Sequence, residues 1–378
     1  MARGSLIKKI KFKQILFCLM YLFILFKFSS CRKDDYVQPK PEPTVPHVNE
    51  DSLKNGTLEW YKNRPSLFTK DQIKWCIVPV PASVPSQSQT HPSIVFVKNK
   101  WNGYSLWLGT TPYPKGDNKY ENPCIYYSDV KPDGNYIFTP IAKNPILEYP
   151  NSNFAFNSDV ELILIHDTLF SLVRECLGPK YFRDVMVQNS TDGQTWSKPT
   201  HVYSEKDVKE RDLISPSIIE HNNKLYIYHL NGNSGNAPDG KCTSMEILEG
   251  TSLTNPDFKF YGFGTFTNKE NVKIEPWHMD LFEHNDTLYM LFCARNLKNP
   301  ATLITYIAYS TDYINFTIVP KPFIDSGVNT YRPTAYVDAG YLNIFCSGVG
   351  NYANDRSDRA IGFCKIKMNH LRAFMNIK

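Results

Sequence analysis

The sequence predicts an all-β chain folded as a five-bladed β-propeller of four-stranded antiparallel blades. Three observations predict it. One kind of apolar segment recurs five times, about every 60 residues, as repeat architectures require. Aromatic residues make up 14 % of the 378 and sit in short alternating runs, while no long stretch keeps the 3.6-residue apolar spacing of a helix. A turn signature built on Ser, Asp and an aromatic recurs between segments, as in Ser190-Thr191-Asp192-Gly193-Gln194-Thr195-Trp196 and Ser310-Thr311-Asp312-Tyr313-Ile314-Asn315-Phe316. Two stacked sandwiches would not share a single repeat period.

In chain order, residues 1–30 read as a secretory leader. Lys8, Lys9, Lys11 and Lys13 precede an apolar run from Ile15 to Phe26, shorter than the ~20 residues of a spanning helix. Phe28-Ser29-Ser30-Cys31 resembles a bacterial lipobox, with Phe28 where Leu is usual, so Cys31 is the expected lipidation site. Cleavage without lipidation is the alternative. Arg32-Lys33-Asp34-Asp35 resembles the acidic export tag of Bacteroidota surface lipoproteins. Residues 31–56, with Pro39, Pro41, Pro43 and Pro46 among polar neighbours, cannot bury a core and read as an extended tether. The expected location is the outer membrane, lipid-anchored and facing outward, with residues 57–378 forming a monomeric propeller.

The net charge of +5 comes from the leader. Of the 42 Lys and Arg, six lie in residues 1–30, leaving 36 against 37 Asp and Glu. Such a balance gives no footprint for nucleic acid. The nine cysteines show no CxxC spacing, and no HExxH or EF-hand pattern occurs, so no metal site is visible locally. Those on apolar strands read as buried thiols, with room for one disulfide. Gly235 to Cys242 has phosphate-loop spacing but ends in Cys and contains Pro238-Asp239-Gly240, a turn signal, so it reads as a turn.

The five segments start at His91-Pro92-Ser93, Ser158-Asp159-Val160, Ser215-Pro216-Ser217, Glu275-Pro276-Trp277 and Arg332-Pro333-Thr334. Four place Pro second, which suits the first residue of a strand because Pro lacks an amide donor. A second apolar strand follows each, and Ile73-Lys74-Trp75-Cys76-Ile77-Val78 is expected to help close the ring. Inner-strand starts of a propeller meet at one mouth. His91, Asp159, Glu275 and Arg332 should therefore converge there, joined by second-strand ends at Tyr113, Arg174, His229 and Arg295 and by Glu121 from the strand beyond. Clustered ionisable groups are costly to bury unless they pair or work.

Each has a plainer reading. Asp159 could cap a turn, Glu275 could pair with Arg332, and Trp277 could be core packing rather than a sugar platform. His278 and Asp280 alternate onto the face opposite Glu275 and Trp277.

With these residues in place, the chain over roughly 85–370 resembles the five-bladed propeller glycoside hydrolases of the family 43 and family 32 type. Ile274-Glu275-Pro276 matches that family's acid position. His91-Pro92 and Ser215-Pro216 stand where the family has Asp, so two of its three carboxylates are missing. Hydrolysis of a glycosidic bond needs an acid and a second carboxylate. The resemblance implies Glu275 as the acid, with Asp159 or Glu121 standing in for the base and Asp212 a weaker candidate. His91, Tyr113, Arg174, Trp277, His278, Asp280, Tyr331 and Arg332 are the expected substrate contacts. It implies a glycan substrate and no organic cofactor; calcium at the axis follows by analogy, with no ligand set visible. The reading placed first is a surface glycoside hydrolase. A non-catalytic glycan-binding propeller and a sialidase-like enzyme on an anionic glycan are the alternatives.

Overall fold

The structure, a computed structural model, describes residues 57–148, 155–177, 182–204, 213–232, 242–267, 270, 274–295, 303–325, 330–348 and 358–377. The chain divides into two units, Met1–Asn55 and Gly56–Lys378, and the described residues belong to the second. The leader, Cys31 and the proline-rich tether lie outside them, as do Asp212 and the side chain of Arg295. Among the described residues no helix is long and apolar enough to cross a membrane.

A short helix, α1 (Leu58–Lys62), and a two-residue strand, β1 (Lys74–Trp75), precede the repeats. The first meander is β2 (Gln89–Trp101), β3 (Tyr104–Pro112), β4 (Cys124–Ser128) and β5 (Thr139–Pro140), and it forms one antiparallel sheet. The second is β6 (Phe156–Ile165), β7 (Thr168–Leu177), β8 (Phe182–Ser190) and β9 (Thr200–Ser204).

Next come β10 (Ile214–His221), β11 (Lys224–Gly232), β12 (Cys242–Gly250) and β13 (Lys259–Thr267), then β14 (Pro276–His284), β15 (Thr287–Arg295), β16 (Leu303–Ser310) and β17 (Asn315–Ile318). These two meanders do not stay separate. Thr265–Thr267 of β13 pairs in parallel with Asn315–Thr317 of β17, which merges them into one eight-stranded sheet. Independent four-stranded sheets were expected here, and an outer strand long enough to reach its neighbour accounts for the difference.

The last sheet is β18 (Thr330–Asp338), β19 (Tyr341–Gly348) and β20 (Ala360–Lys367), with β1 as its outer strand. Lys74 and Trp75 pair with Phe363 and Gly362, so the run around Trp75 ties the start of this unit to its end. Helix α2 (Met368–Met375) then packs Leu371 and Phe374 into the core.

Apolar layers lie between neighbouring meanders. Leu108 and Phe345 share one layer, Trp107 and Val160 another, Leu172 and Ile227 a third, Ile247 and Phe292 a fourth, and Leu291 and Ile344 a fifth. Cys76, Cys124, Cys176, Cys293, Cys346 and Cys364 are buried free thiols, and the described residues contain no disulfide. The recurring turn works as its composition implies: Asp192 Oδ1 accepts from the amides of Gln194 (2.8 Å) and Thr195 (2.7 Å), and Asp312 Oδ1 does the same for Ile314 and Asn315. Gly193 is required twice over. Its φ is +72°, and a Cβ there would fall 2.1 Å from the Trp107 indole.

The inner strands β2, β6, β10, β14 and β18 touch in sequence, and β18 touches β2. Side chains bond around this ring. Leu162 N donates to Ser93 Oγ, Ile218 N to a Glu161 oxygen, Leu281 N to Ser217 Oγ and Ile94 N to Thr334 Oγ1. Arg332 fills the axis and is 0 % exposed. It donates to the carbonyls of Val160 (2.6 Å), Met279 (3.1 Å) and Pro216 (3.4 Å) and to Glu161 Oε2 (2.7 Å). Burial lifts the Glu161 carboxyl well above its usual range and Asp280 adds to this, while Arg332 and the Ser217 hydroxyl pull it back. Removing one partner of such a buried pair strands the other. Arg332→Met should therefore lower the unfolding free energy by about 3–5 kcal/mol in urea titrations at neutral pH. A loss under about 1 kcal/mol would show that the axis does not depend on this side chain.

Candidate functional site

One tier above the axial ring, two residues before Ser93, Glu161, Ser217 and Asp280, stand His91, Asp159, Ser215 and His278. Each inner strand carries a β-bulge at this end, and φ is +50° at His91, +55° at Asp159 and +49° at Ser215. Positive φ in residues with a Cβ is strained, and bulges re-aim side chains. Here they turn three side chains from separate meanders toward one point.

At that point Asp159 Oδ1 lies 3.2 Å from His91 Nε2 and 3.2 Å from His278 Nδ1. All three residues are buried, and their ligand-type atoms lie within 4.8 Å of one another. Proximity is not matched by bonding: neither His91 Nε2 nor Asp159 Oδ1 makes a hydrogen bond. The rest of the triad is fully engaged. His91 Nδ1 meets Thr111 Oγ1 at 2.9 Å and His278 Nε2 meets the Tyr331 hydroxyl at 2.6 Å. Asp159 Oδ2 takes an ion pair from Arg174 Nε (2.9 Å) and the amide of Ser215 (3.2 Å). Ser215 Oγ lies 2.6 Å from His278 Nδ1.

Two imidazoles and a carboxylate, each oriented by an outer partner, make the ligand set of a transition-metal site. The two orphaned atoms, His91 Nε2 and Asp159 Oδ1, face each other beside His278 Nδ1, and a cation fits among them. Burial depresses both imidazoles despite the opposing pull of Asp159, so they stand neutral, as ligands must. Burial pushes Asp159 upward, but the Arg174 guanidinium leads the opposing pull, and the carboxylate is held well below its usual range. Zinc, manganese or iron suits such donors. Calcium, the ion implied by the resemblance, prefers all-oxygen shells and suits them poorly.

Glu121 borders this cluster. Its backbone carbonyl accepts from Asn157 N, which ties it to β6, and its buried Oε2 has no hydrogen-bond partner. Burial lifts its carboxyl to about 8, Ser158 and Arg174 oppose this, and Asp159 adds to it.

Other expected contacts fall into three places. Arg174 and Tyr331 border the cluster, and Trp277 Nε1 donates to the Tyr331 hydroxyl at 3.2 Å. Tyr113 stands under the guanidinium of Arg359, at 5.2 Å. Asp280 and Arg332 lie below, in the axial ring, where Asp280 Oδ1 accepts from Ser217 Oγ. Arg332 is therefore a structural cation paired with Glu161, not the mouth contact that its strand-start position suggested. Glu275 precedes β14 and is partly buried; the place that alignment on proline assigned to it is taken by His278, three residues on.

His229 is buried away from these groups, stacked on Tyr203. Arg359 escaped notice in the sequence. Its guanidinium lies 4.2 Å over the Tyr331 ring. It immediately precedes β20, the third strand of its meander, as Glu121 stands three residues before β4, so extending the strand-start rule to third strands would have found it.

Glu121 yields a pH prediction. Its folded value of about 8 lies above the ordinary 4.5, so the folded state keeps a proton that the unfolded chain has released. The resulting stabilisation is complete below about pH 4 and is lost as pH rises through about 8. Glu121→Gln should gain on the parent across that window by on the order of 3–5 kcal/mol, read from denaturant melts at pH 5 and 8.5. Equal differences at the two pH values would mean that Glu121 titrates normally.

No protein-family model matches the chain. A curated relative, an A type blood N-acetyl-α-D-galactosamine deacetylase of Flavonifractor plautii, is 23 % identical over 303 residues, 66 % of this chain and 38 % of that protein. The chain thus spans well under half of that relative's length. A crystal structure of an N-acetylgalactosamine deacetylase from F. plautii, in complex with blood group B trisaccharide, superposes with a TM-score of 0.63 at 19 % identity, covering 82 % of this chain and 97 % of that one. A β-xylosidase structure gives 0.56 at 10 % identity over 79 % and 95 %. A family 43 glycoside hydrolase of Xanthomonas citri gives 0.57 at 8 % over 78 % and 91 %. These neighbours are glycoside-processing enzymes of propeller fold, and the all-β architecture described above is similar to theirs.

Proposed function

We propose that residues 57–378 form a five-bladed β-propeller whose mouth holds a divalent-cation-dependent hydrolase site, and that the reaction is removal of the acetyl group from an N-acetylated sugar of a glycan. The observation that carries this reading is the buried His91–Asp159–His278 cluster, in which His91 Nε2 and Asp159 Oδ1 face each other without a hydrogen bond, beside His278 Nδ1. The deacetylase relative and structural neighbour support it.

Water adds across the amide: the acyl carbon leaves as acetate, and the sugar nitrogen leaves as an amine that takes a proton. A cation held by the three ligands would supply Lewis acidity at the acyl carbonyl. The chain's own residues do the rest. Arg174 and the Ser215 amide hold Asp159 ionised and oriented. Thr111 and Tyr331 hold the two imidazoles. Glu121, protonated at neutral pH, has the proton that the departing nitrogen needs.

Acetate release from an oligosaccharide ending in N-acetylgalactosamine or N-acetylglucosamine should stop on treatment with a chelator and return with zinc or manganese. Asp159→Asn and His278→Ala should each reduce it by at least about a hundredfold. Chelator-resistant acetate release would refute the cation assignment.

One observation favours a second reading, hydrolysis of a glycosidic bond. Glu121 is lifted to about 8 beside Asp159, which is held low, and acid–base pairs are separated in this way. Against it, Asp159 Oδ2 is held by Arg174 and the Ser215 amide, and its Oδ1 faces the two imidazoles. Reducing ends in place of acetate would mark this second activity.

The location follows from the leader. We place the protein on the outer membrane, anchored through an acylated Cys31 and carried on the tether of residues 31–56. Radiolabelled palmitate should enter the wild-type protein and not Cys31→Ala; equal labelling of both would overturn the anchor.

A further inference from the structure

Arginines at strand starts and ends are positioned to meet an anionic substrate, and Arg174, Arg295 and Arg332 hold such places. The structure commits two of these internally: Arg174 to Asp159 and Arg332 to Glu161. Arg359 is different. Its backbone is clamped, with its amide donating to Ser88 Oγ (3.0 Å) and its carbonyl accepting from Gln89 N (2.9 Å). Its guanidinium is held between two rings, 4.2 Å from the centroid of Tyr331 and 5.2 Å from that of Tyr113. Stacking of this kind fixes an arginine fork without using its donors.

Its Nη1 is buried and makes no hydrogen bond, and among the described residues no carboxylate pairs with it. Asp358, its neighbour in sequence, is turned away to Ser86 Oγ and Lys115 N. Tyr331 also touches His278, which places the guanidinium one aromatic ring from the ligand cluster. A half-buried, oriented cation with no carboxylate partner among the described residues, at that distance, is a receptor for an anion on the same or the adjoining sugar.

We propose that Arg359 is a specificity-determining residue that binds the carboxylate or sulfate of an acidic glycan at the mouth. The inference rests on the glycan reading above but not on which bond is cleaved.

The test is equilibrium binding by calorimetry, with no turnover needed. Two matched pairs of N-acetylgalactosamine oligosaccharides serve as probes: one with and without a sulfate, the other with a uronic acid or its carboxyl-reduced form. The parent should prefer the charged member of at least one pair by roughly tenfold or more, and which pair does so identifies the anion. Arg359→Gln should bring that ratio close to one, and Arg359→Lys should retain part of it. Zinc binding measured on the same variants should be unchanged, which separates loss of the anion contact from loss of the fold or of the cation site. Equal affinity for both members of each pair, including no measurable binding of either, overturns the proposal. So does a ratio that survives Arg359→Gln. Acetate release, assayed separately, reports on the reaction and fails or succeeds independently of these ratios.

Discussion

A guanidinium sealed from water must find an acceptor for every proton it can, and Arg332 finds them on three other inner strands. Three of those acceptors are backbone carbonyls: Val160, Pro216 and Met279. Each belongs to the residue directly after a member of the tier above, namely Asp159, Ser215 and His278. One side chain thus sets the depth of three strands relative to one another. The bulges at those strand ends then have a fixed base from which to aim. Positive φ at His91, Asp159 and Ser215 would relax in an unsupported strand; here the backbone beyond them is tied to the axis or to the ring of side-chain bonds through Ser93 and Ser217.

The electrostatics divide into two levels. In the axial ring, Glu161 and Asp280 meet Arg332, serine hydroxyls and amides, and their oxygens are used up in holding strands together. In the tier above, Asp159 is kept ionised by Arg174 while two neutral imidazoles turn nitrogens toward it. A pair of separated carboxylates, as glycosidic hydrolysis needs, is a different arrangement from a carboxylate and two imidazoles around a common point. The shared propeller architecture accommodates both, because the site is made by side chains at the strand starts and the fold specifies only where those starts meet.

Much of this was legible in the residues. The alternating aromatic runs, the repeat and the Ser–Asp turn signature point to short strands in successive meanders, and the turns bond as their composition requires. The parity argument was also sound: His278 and Asp280 share a face, and that face lines the axis. What misled was the use of proline to set the register. Glu275-Pro276 was aligned with His91-Pro92, whereas the place after the mouth residue in that strand is held by Met279. Proline is tolerated there because a bulge leaves the amide outside the ladder, but the axis asks only for a carbonyl, which any residue supplies. The merging of β13 with β17 was equally hidden, since edge-to-edge pairing depends on how two distant outer strands come to lie side by side.

By itself the sequence determined strand class, repeat spacing and turn chemistry, because these depend on alternation and on bonds between residues a few positions apart. Only the tertiary structure decided which strand starts share a tier, that His91, Asp159 and His278 face one another, and that Arg332 is structural while Arg359 stacks on Tyr331 beside the cluster. Those outcomes depend on side chains separated by tens to hundreds of residues meeting across a closed ring. A one-residue change of register or a single bulge redirects them without altering any local pattern.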